Sequence, residues 1–250
     1  MKYPIGIQSF EKIREEGFVY VDKTALIYNL VTKGNIYFLS RPRRFGKSLL
    51  ISTLKAYFEG RKELFAGLAI EQFEQKWEEH PVFHIDFNGT NFTKGGTLEQ
   101  LLEGKLATWE QEYECATSKL DLGMRFVQII KQAHAKYGKR AVVLIDEYDK
   151  PLLDVLDTNL YVEVGVNRRL LEEHYRDILR GFYSVFKEAD EHLQFVLLTG
   201  VTKYGQVSVC SGFNQPADIS MDPRYEALCG ITTEELYHYF DEAISEIADT

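Results

Sequence analysis

Short apolar runs alternate with longer amphipathic segments along most of the chain. The runs that predict buried strands cover residues 36–39, 81–87, 141–145 and 195–198. Between them, apolar residues recur every three or four positions and predict helices over residues 47–57, 98–114, 124–137 and 168–187. Nearly continuous apolar strands separated by helices are typical of a parallel sheet that is covered on both faces. The pattern therefore predicts an α/β fold.

The end of the sequence has a different pattern. Thr232-Thr233-Glu234-Glu235 matches a capping box, in which a Thr oxygen and a Glu carboxylate satisfy free N–H groups at a helix start. The amphipathic helix predicted after it carries Leu236, Tyr239 and Phe240 on one stripe, and such a stripe needs a surface to pack on. We therefore expect this helix to open a further helical element.

Composition narrows the class of protein. Of the 250 residues, 45% are hydrophobic and 27% are charged, which is ordinary for a soluble globular protein and excludes disordered, collagen-like and disulfide-rich classes. No apolar run approaches the roughly 18–20 residues that a membrane helix needs, and the N-terminus is too highly charged for a signal peptide. The three cysteines, Cys115, Cys210 and Cys229, are far apart, which favours a reducing compartment. These observations predict a cytoplasmic protein without membrane association.

The charge balance limits the partners. The chain has 29 Lys and Arg against 38 Asp and Glu, which gives a formal net charge of -9. An acidic balance of this kind weighs against a broad nucleic-acid-binding surface. A local basic patch remains open.

A basic loop lies between the first predicted strand and its helix, in the segment Ser40-Arg-Pro-Arg-Arg-Phe-Gly-Lys-Ser48. Gly46, Lys47 and Ser48 match the G-x-x-x-x-G-K-[ST] template, whereas Arg41 occupies its first glycine position. Because a proline follows Arg41, we expect the loop to turn only after that proline. The free N–H groups and the positive dipole end of the helix would attract phosphates there.

Each residue type in this loop suits one task. Gly46 would let the backbone approach a phosphate, Lys47 would reach the β- and γ-phosphates, and Ser48 would ligate Mg²⁺. Arg43 and Arg44 add positive charge where a triphosphate would lie. The residues predicted to bind the nucleotide are Arg43, Arg44, Phe45, Gly46, Lys47, Ser48 and Leu49. An ordinary basic turn between a strand and a helix remains an alternative for this segment alone.

A second part of the site is predicted where the run at residues 141–145 ends. Asp146 and Glu147 follow that run, at the carboxyl edge where open parallel sheets bind ligands. Asp146 would hold the Mg²⁺, and Glu147 would be the base for the attacking water, an effect worth roughly 10²–10⁴ in rate. Asp149 and Lys150 nearby leave open a solvated charged turn. The loop and this strand together, in the expected order, favour a nucleotide site.

Several longer segments resemble one family. They are YVDKT at residues 20–24, RPRRFGKSLL at 41–50, VVLIDEYDKPL at 142–152 and LLTGVTK at 197–203. Together they resemble the predicted AAA-ATPase-like family of bacterial proteins, over most of the chain from Tyr3 to Asn214. In that family an arginine at the first loop position is usual, so Arg41 departs from the general motif and not from the family's.

The resemblance implies a P-loop NTPase core, a three-layer sandwich with a parallel central sheet. It implies that the strand at residues 195–198 lies between the Walker A and Walker B strands. Thr199 at its end would be a sensor that contacts the γ-phosphate or the attacking water, although a buried Thr is as often structural. Lys203 is a weaker candidate for the same region.

The resemblance also implies a division of the chain. The ATPase core would cover residues 1–226, with Walker A at 41–48 and Walker B at 141–147, and residues 227–250 would form the first helix of a C-terminal helical lid. Relatives often continue into a nuclease-like domain. A nucleic-acid partner is therefore expected only through such a domain.

Other polar residues have two interpretations each. The segment Asp22-Lys23-Thr24 could line the base or ribose of a nucleotide, or Asp22 or Thr24 could cap a helix. Asp86 could support the metal site, or form a turn before Asn88-Gly89. The helix predicted at residues 168–187 carries the arginines Arg168, Arg169, Arg176 and Arg180. One of them could reach a neighbouring subunit as an arginine finger, but helices carry such charges routinely.

These patterns predict a Mg²⁺-dependent ATPase that uses ATP and Mg²⁺ and couples nucleotide state to an unidentified partner or C-terminal effector. The predicted catalytic residues are Lys47, Glu147 and Thr199, and the predicted metal ligands are Ser48 and Asp146. A homo-oligomer remains open. One alternative is a switch that holds ATP or ADP and rarely hydrolyses it. Another is a small-molecule kinase, which uses the same loop but also needs a lid over its substrate.

Overall fold

The computed structural model describes residues 2–115, 120–203 and 216–248 of the chain. Within these ranges a five-stranded parallel sheet carries helices on both faces, which confirms the predicted α/β fold. Cys210 and the segment at residues 211–214, where the family resemblance ends, lie outside the described residues. No helix in the described ranges is both long and apolar enough to cross a bilayer.

The described strands and helices are numbered in chain order. The strands are β1 (Ile36–Ser40), β2 (Val82–Asp86), β3 (Ala141–Asp146), β4 (Tyr161–Val164), β5 (Asn167–Leu170), β6 (Leu193–Gly200) and β7 (Ala217–Asp218). The helices are α1 (Phe10–Glu15), α2 (Thr24–Lys33), α3 (Lys47–Phe58), α4 (Thr97–Glu112), α5 (Leu122–Tyr137), α6 (Lys150–Leu153), α7 (Leu171–Glu188) and α8 (Thr233–Ala248). Short 3₁₀ turns at Lys62–Phe65, Ala69–Gln72, Asp190–His192 and Pro223–Leu228 connect some of them.

The order of the strands positions the candidate site. The sheet runs β2-β3-β6-β1-β7, so β6 lies between β1, which leads into the basic loop, and β3, which ends in the acidic pair. The prediction of an inserted strand between the two motif strands is thereby confirmed. Because all five strands are parallel, the basic loop, Asp146 and Thr199 all lie at the same carboxyl edge.

The two faces of the sheet are covered by separate apolar clusters, as the alternation of side chains along a strand requires. On one face, Val142 and Leu144 of β3 join the buried side chains of α2 and α3. On the other face, Val143 and Ile145 join the buried side chains of α4, α5 and α7. This burial on both sides explains why β3 is apolar at every position before Asp146.

The helix predicted at residues 168–187 is wrong at its start. Helix α7 begins at Leu171, and Arg168 and Arg169 belong to β5, which pairs with β4 in an antiparallel hairpin. Gly165 has the positive φ of 62° that the turn between β4 and β5 uses, and the Arg168 guanidinium lies 4.4 Å from the centre of the Tyr161 ring. The apolar stripe of the helix itself is as predicted from Leu171 onwards.

Helix α8 begins as the sequence predicts. Thr232 N–H donates to Glu235 Oε2 at 2.8 Å, and Glu235 N–H donates to Thr232 Oγ1 at 3.2 Å, which completes the capping box. The helix packs on the N-terminal segment, where the ring of Phe240 stacks on Tyr3 at 5.3 Å between centroids. Helix α1 packs in a third apolar cluster, in which Phe10 lies with Phe65 of the 3₁₀ turn at Lys62–Phe65.

Candidate functional site

The basic loop leaves β1 in an extended conformation and turns late. Arg41 N–H donates to Gly200 O at 3.1 Å and extends the pairing with β6 by one residue. The turn begins at Arg43, after the proline, as predicted. Arg44 and Gly46 then adopt left-handed φ values of 64° and 87°, and Gly46 forms the N-cap of α3. The loop thus aims the first turn of α3 at the carboxyl edge, where free N–H groups suit an anion.

The Arg41 side chain binds backbone groups at the base of the loop. Its guanidinium donates to the carbonyl oxygens of Ser40, at 3.1 Å, and of Ser220. Ser40 N–H in turn donates to Ser220 Oγ at 2.8 Å. The arginine that replaces the first glycine of the general motif therefore ties the loop to the segment after β7.

Arg43 and Arg44 have a different environment. Both side chains are exposed, and neither takes part in an ion pair within the described parts of the chain. Two exposed guanidinium groups beside a helix N-terminus give this surface a positive potential. They are available to an anion in a way that Arg41 is not.

Lys47 lies in the centre of the site. Its side chain is only 3% exposed, and its Nζ donates to Arg41 O at 3.1 Å and to Pro42 O at 3.2 Å. The same Nζ is 3.2 Å from Glu147 Oε1. The structure thus brings together Lys47, the first residue of α3, and Glu147, which directly follows β3.

Glu147 is held in an unusual conformation. Its φ is 54°, in the left-handed region that side chains other than glycine and asparagine rarely adopt. Burial raises the pKa of its carboxyl group above the ordinary value of 4.5, although Lys47 acts in the opposite direction. A half-buried carboxylate with a raised pKa is a better proton acceptor than an ordinary exposed one.

Asp146 and Thr199 form a second contact across neighbouring strands. Both are buried, and Thr199 Oγ1 donates to Asp146 Oδ1 at 2.5 Å. Ser48 is in the first turn of α3 and is partly exposed. Asp86 lies beside Asp146 in the register of β2 and β3, but its Oδ1 accepts from Asn88 N–H at 2.7 Å and forms the turn, which is one of its two interpretations.

A cavity of about 280 Å³ opens beside the loop. Arg44, Phe45, Gly46 and Leu49, all predicted to bind nucleotide, contribute to its wall. The remaining wall comes mainly from apolar side chains of the N-terminal segment, of α2 and of residues 228–231, with Phe240 of α8. A mostly apolar cavity with a few polar groups at its rim is the usual form of a small-molecule site.

Two further features of this cavity could not be predicted. A Cβ atom at Gly230 would lie 2.8 Å from the Phe45 ring, so glycine is needed for the ring to lie there. Cys229 also lines the cavity, and burial raises the pKa of its thiol to about 11, which keeps it neutral. Both residues belong to a connection whose sequence has no helical or strand pattern.

The N-terminal segment contributes Lys23 to the cavity and not Asp22. Lys23 Nζ donates to both carboxylate oxygens of Glu235 at 2.5 Å. Asp22 instead accepts two backbone hydrogen bonds, at Oδ1 from the N–H of Thr24, the first residue of α2, at 2.8 Å and at Oδ2 from Ala69 N–H at 2.7 Å, while Lys23 is the N-cap of α2. Lys203, the weaker sensor candidate, pairs with Asp218 at 2.5 Å.

The donor set suits a hard divalent cation that is shared with a phosphate. In the described ranges no three His, Cys, Asp or Glu side chains are close enough to hold a metal ion by themselves. Mg²⁺ commonly takes one or two protein oxygens and completes its shell with phosphate oxygens and water. The hydroxyl of Ser48 and the carboxylate of Asp146 are oxygen donors of that kind, beside a loop that suits phosphates.

Comparison with known proteins agrees with this geometry. The model of a family described as predicted AAA-ATPase matches residues 4–210. The chain is also 44% identical over 239 residues to an "Uncharacterized protein in vnfD 5'region" of Azotobacter chroococcum mcd 1. That match covers 94% of this chain and 44% of the relative, so the chain spans less than half of the relative's length. No solved structure matches the chain.

Proposed function

This chain belongs to the predicted AAA-ATPase family, and on that premise we propose that it binds ATP with Mg²⁺ and hydrolyses the terminal phosphoanhydride bond. The observation that carries the proposal is the 3.2 Å contact between Lys47 Nζ and Glu147 Oε1. A cation for the phosphates comes from the start of α3 and a candidate base for water from the end of β3, and each is of the residue type that phosphoryl transfer needs.

The phosphates are bound by the loop and the first turn of α3. Backbone N–H groups after Gly46 face the anion, and the helix dipole adds to the attraction. Arg43 and Arg44 approach from the exposed side of the loop. Lys47 releases the carbonyl oxygens of Arg41 and Pro42, which it now holds, and donates to phosphate oxygens instead.

The nucleoside occupies the apolar cavity. Phe45 and Leu49 join the loop to this cavity, so a ligand that holds its phosphates at Gly46 has an adjacent space for its base. The Phe45 ring is 43% exposed and available for contact with a planar base. Lys23, which pairs with Glu235, contributes a polar group to the wall of this cavity.

The residues that would hold Mg²⁺ are Ser48 and Asp146. Bound there, the ion would neutralise charge that develops on the phosphates and orient them. Thr199 fixes the Asp146 carboxylate through its hydroxyl and so keeps one oxygen of that carboxylate directed. Holding Asp146 is compatible with the sensor function expected of Thr199, because Thr199 lies at the edge of the site that β6 forms.

Glu147 acts as the base. Its carboxylate accepts a proton from the attacking water, and the raised pKa that burial gives this carboxyl group increases its proton affinity. Lys47 stabilises the negative charge that accumulates on the phosphate oxygens in the transition state. Both roles require that the Lys47–Glu147 contact is exchanged for contacts with the nucleotide and water when ATP binds.

Helix α8 is the element through which nucleotide state is coupled to a partner. It forms part of the cavity through Phe240 and is bound to the N-terminal segment through Glu235. Since the relative is more than twice as long as this match, we include in the proposal an effector that follows the ATPase and acts on nucleic acid. We also propose a homo-oligomer and a cytoplasmic location.

Phosphate release from ATP and Mg²⁺ tests this function. We expect turnover by the wild-type protein, and its loss in Lys47→Ala and in Glu147→Gln. Lys62→Ala and Glu163→Gln are matched controls, because both side chains are exposed and lie outside the site. Absence of turnover in the wild-type protein, or variants as active as the controls, would contradict hydrolysis at this site.

Two other outcomes would redirect the proposal. Tightly bound nucleotide that co-purifies with the protein, without measurable turnover, would favour the switch. Formation of ADP that requires an added acceptor, with the phosphoryl group transferred to that acceptor and not released as phosphate, would favour a kinase. Release into water without any acceptor separates hydrolysis from both.

A further inference from the structure

The turn after Glu147 is bound tightly to the end of β6. Asp149 is fully buried, although it lies in a charged segment that resembles a solvated turn. Its Oδ2 accepts from Val201 N–H at 3.1 Å, from Thr202 N–H at 2.7 Å and from Thr202 Oγ1 at 2.9 Å. Several donors to one buried carboxylate are what stabilises such a charge away from water.

Tyr148 binds the last residues of β6 and the residues just after them. Its N–H donates to Thr199 O at 2.9 Å, and its hydroxyl donates to Thr202 O at 3.0 Å. Its ring packs edge-on against Phe38 of β1, 5.3 Å between centroids. The turn is therefore joined to both strands that flank the candidate site on this side.

Gly200 allows this close packing. A Cβ atom there would lie 2.5 Å from the Tyr148 ring and 2.7 Å from Asp149 Oδ1. No other residue type could occupy this position without moving the turn. The side chains of Tyr148 and Asp149 thus pack directly against the backbone of Gly200.

Glu147 stands immediately before this turn. A left-handed φ in a residue with a side chain persists only where the surroundings determine it. Here Tyr148 and Asp149 are fixed by hydrogen bonds to the end of β6 and the two residues after it. Glu147 precedes them, and its carboxylate faces Lys47. Asp149 supplies most of those bonds.

We propose that Asp149 is a positioning residue that holds the Glu147 carboxylate in the site by binding the backbone of Val201 and Thr202. Asp149 does not reach the nucleotide and acts only through Glu147. This role rests on the hydrolysis proposed above.

The first test is Asp149→Asn, which preserves size but replaces one acceptor oxygen with a donor that faces N–H groups. We expect kcat for ATP hydrolysis to fall at least about tenfold while KM for ATP changes less than about threefold, since only the placement of the base is altered. Asp157→Asn is the matched control, because it makes the same change of residue type at an exposed position. Thermal unfolding of each variant verifies that it is folded at the assay temperature.

A double variant separates positioning from a general structural role. If Asp149 acts through Glu147, adding Asp149→Asn to Glu147→Gln leaves the residual kcat unchanged within about twofold. If the two reductions multiply instead, or if Asp149→Asn alone has the kcat of the control, the proposal is overturned. Should Asp149→Asn fail to fold, Thr202→Val removes one bond to Asp149 and is judged by the same cycle, with Thr202→Ser expected to restore activity.

Hydrogen exchange distinguishes the failure of this role from the failure of the proposed function. Without any turnover in the wild-type protein the proposed hydrolysis fails, and the role in catalysis fails with it. Whether Asp149 holds the backbone of Val201 and Thr202, a contact that we call the tether, is then decided by amide exchange in residues 145–150 and 198–203. At least about tenfold faster exchange there in Asp149→Asn, with other segments unchanged, supports the tether, and unchanged exchange overturns it.

Discussion

Thr199 donates a 2.5 Å hydrogen bond to Asp146 and joins the ends of the neighbouring strands β6 and β3. Both side chains are buried, so water cannot replace this donor if it is removed. The predicted metal ligand is therefore held by the predicted sensor. The two residues form one unit of the candidate site.

Replacing Thr199 should reveal this bond in the stability of the protein. Thr199→Val keeps the shape but leaves the buried Asp146 without its donor, and we expect the free energy of unfolding to fall by about 1–3 kcal/mol. Thr199→Ser keeps the hydroxyl and should lose less. Urea unfolding measures both, and equal losses in the two variants would mean that the hydrogen bond contributes nothing.

The pH dependence of hydrolysis should report Glu147. Burial raises its pKa above the ordinary value of 4.5 in the ligand-free protein, with Lys47 opposing the shift. The base must be ionised, so as the pH falls, kcat/KM should begin to decrease at a higher pH than for an ordinary glutamate. A profile from pH 4 to 8 checks this, and a profile with no decrease until below pH 4.5 would argue against a base in this environment.

The Lys23–Glu235 ion pair should stabilise the protein in a pH-dependent way. Burial alone would raise the pKa of Glu235, but hydrogen bonds from Lys23 and Thr232 outweigh it and leave the pKa below 4.5. A lowered pKa in the folded state means that the contribution is present above pH 4.5 and is lost as the pH falls through the folded-state value. Lys23→Met should therefore unfold more easily than wild type at pH 7, by about 1 kcal/mol or less since the pair is partly solvated.

The same difference between wild type and Lys23→Met should shrink in unfolding experiments below pH 4.5. Lys33→Met is the control, since Lys33 is an exposed lysine in the last turn of α2. A difference that stays constant across this pH range would show that lost packing of the Lys23 side chain, and not its charge, is responsible.

Gly230 tests whether the cavity holds the nucleoside. Gly230→Ala places a methyl group 2.8 Å from the Phe45 ring and also strains a residue with φ of 83°. We expect weaker binding of a fluorescent ADP analogue, because the Phe45 ring must move from its place in the cavity wall. Gly165→Ala carries the same kind of strain, at φ of 62°, with no neighbour within 4 Å, and should bind the analogue as wild type does. Equal affinities in the two variants would place the nucleoside elsewhere.

The sequence predicts the sheet well because its strands are buried on both faces. Strand β3 is apolar at five consecutive positions and then ends in Asp146, a signal that neither helix periodicity nor a half-exposed strand produces. The hairpin of β4 and β5 was not predicted, since both strands are mostly exposed and Arg168 and Arg169 look like the polar side of a helix. There, a single glycine turn decides the structure.

The site was predictable in its motifs and not in its connections. Lys47 and Glu147 follow from local patterns, and the sheet order brings them together. The burial of Asp149 depends on residues more than fifty positions away, and no local pattern separates it from a solvated turn. The cavity is likewise formed by segments far apart in the chain, so its shape follows only from tertiary packing.

The identity of the bound nucleotide after incubation with ATP and Mg²⁺ tests the central claim most directly. Wild type, Lys47→Ala and Glu147→Gln are incubated, passed rapidly over a desalting column, denatured and analysed for ATP and ADP. We predict ADP on the wild-type protein, ATP retained on Glu147→Gln, and little of either on Lys47→Ala, because the lysine binds the phosphates and the glutamate activates water. Conversion to ADP by Glu147→Gln at the wild-type rate, or undiminished binding by Lys47→Ala, would contradict an ATPase site built on these two residues.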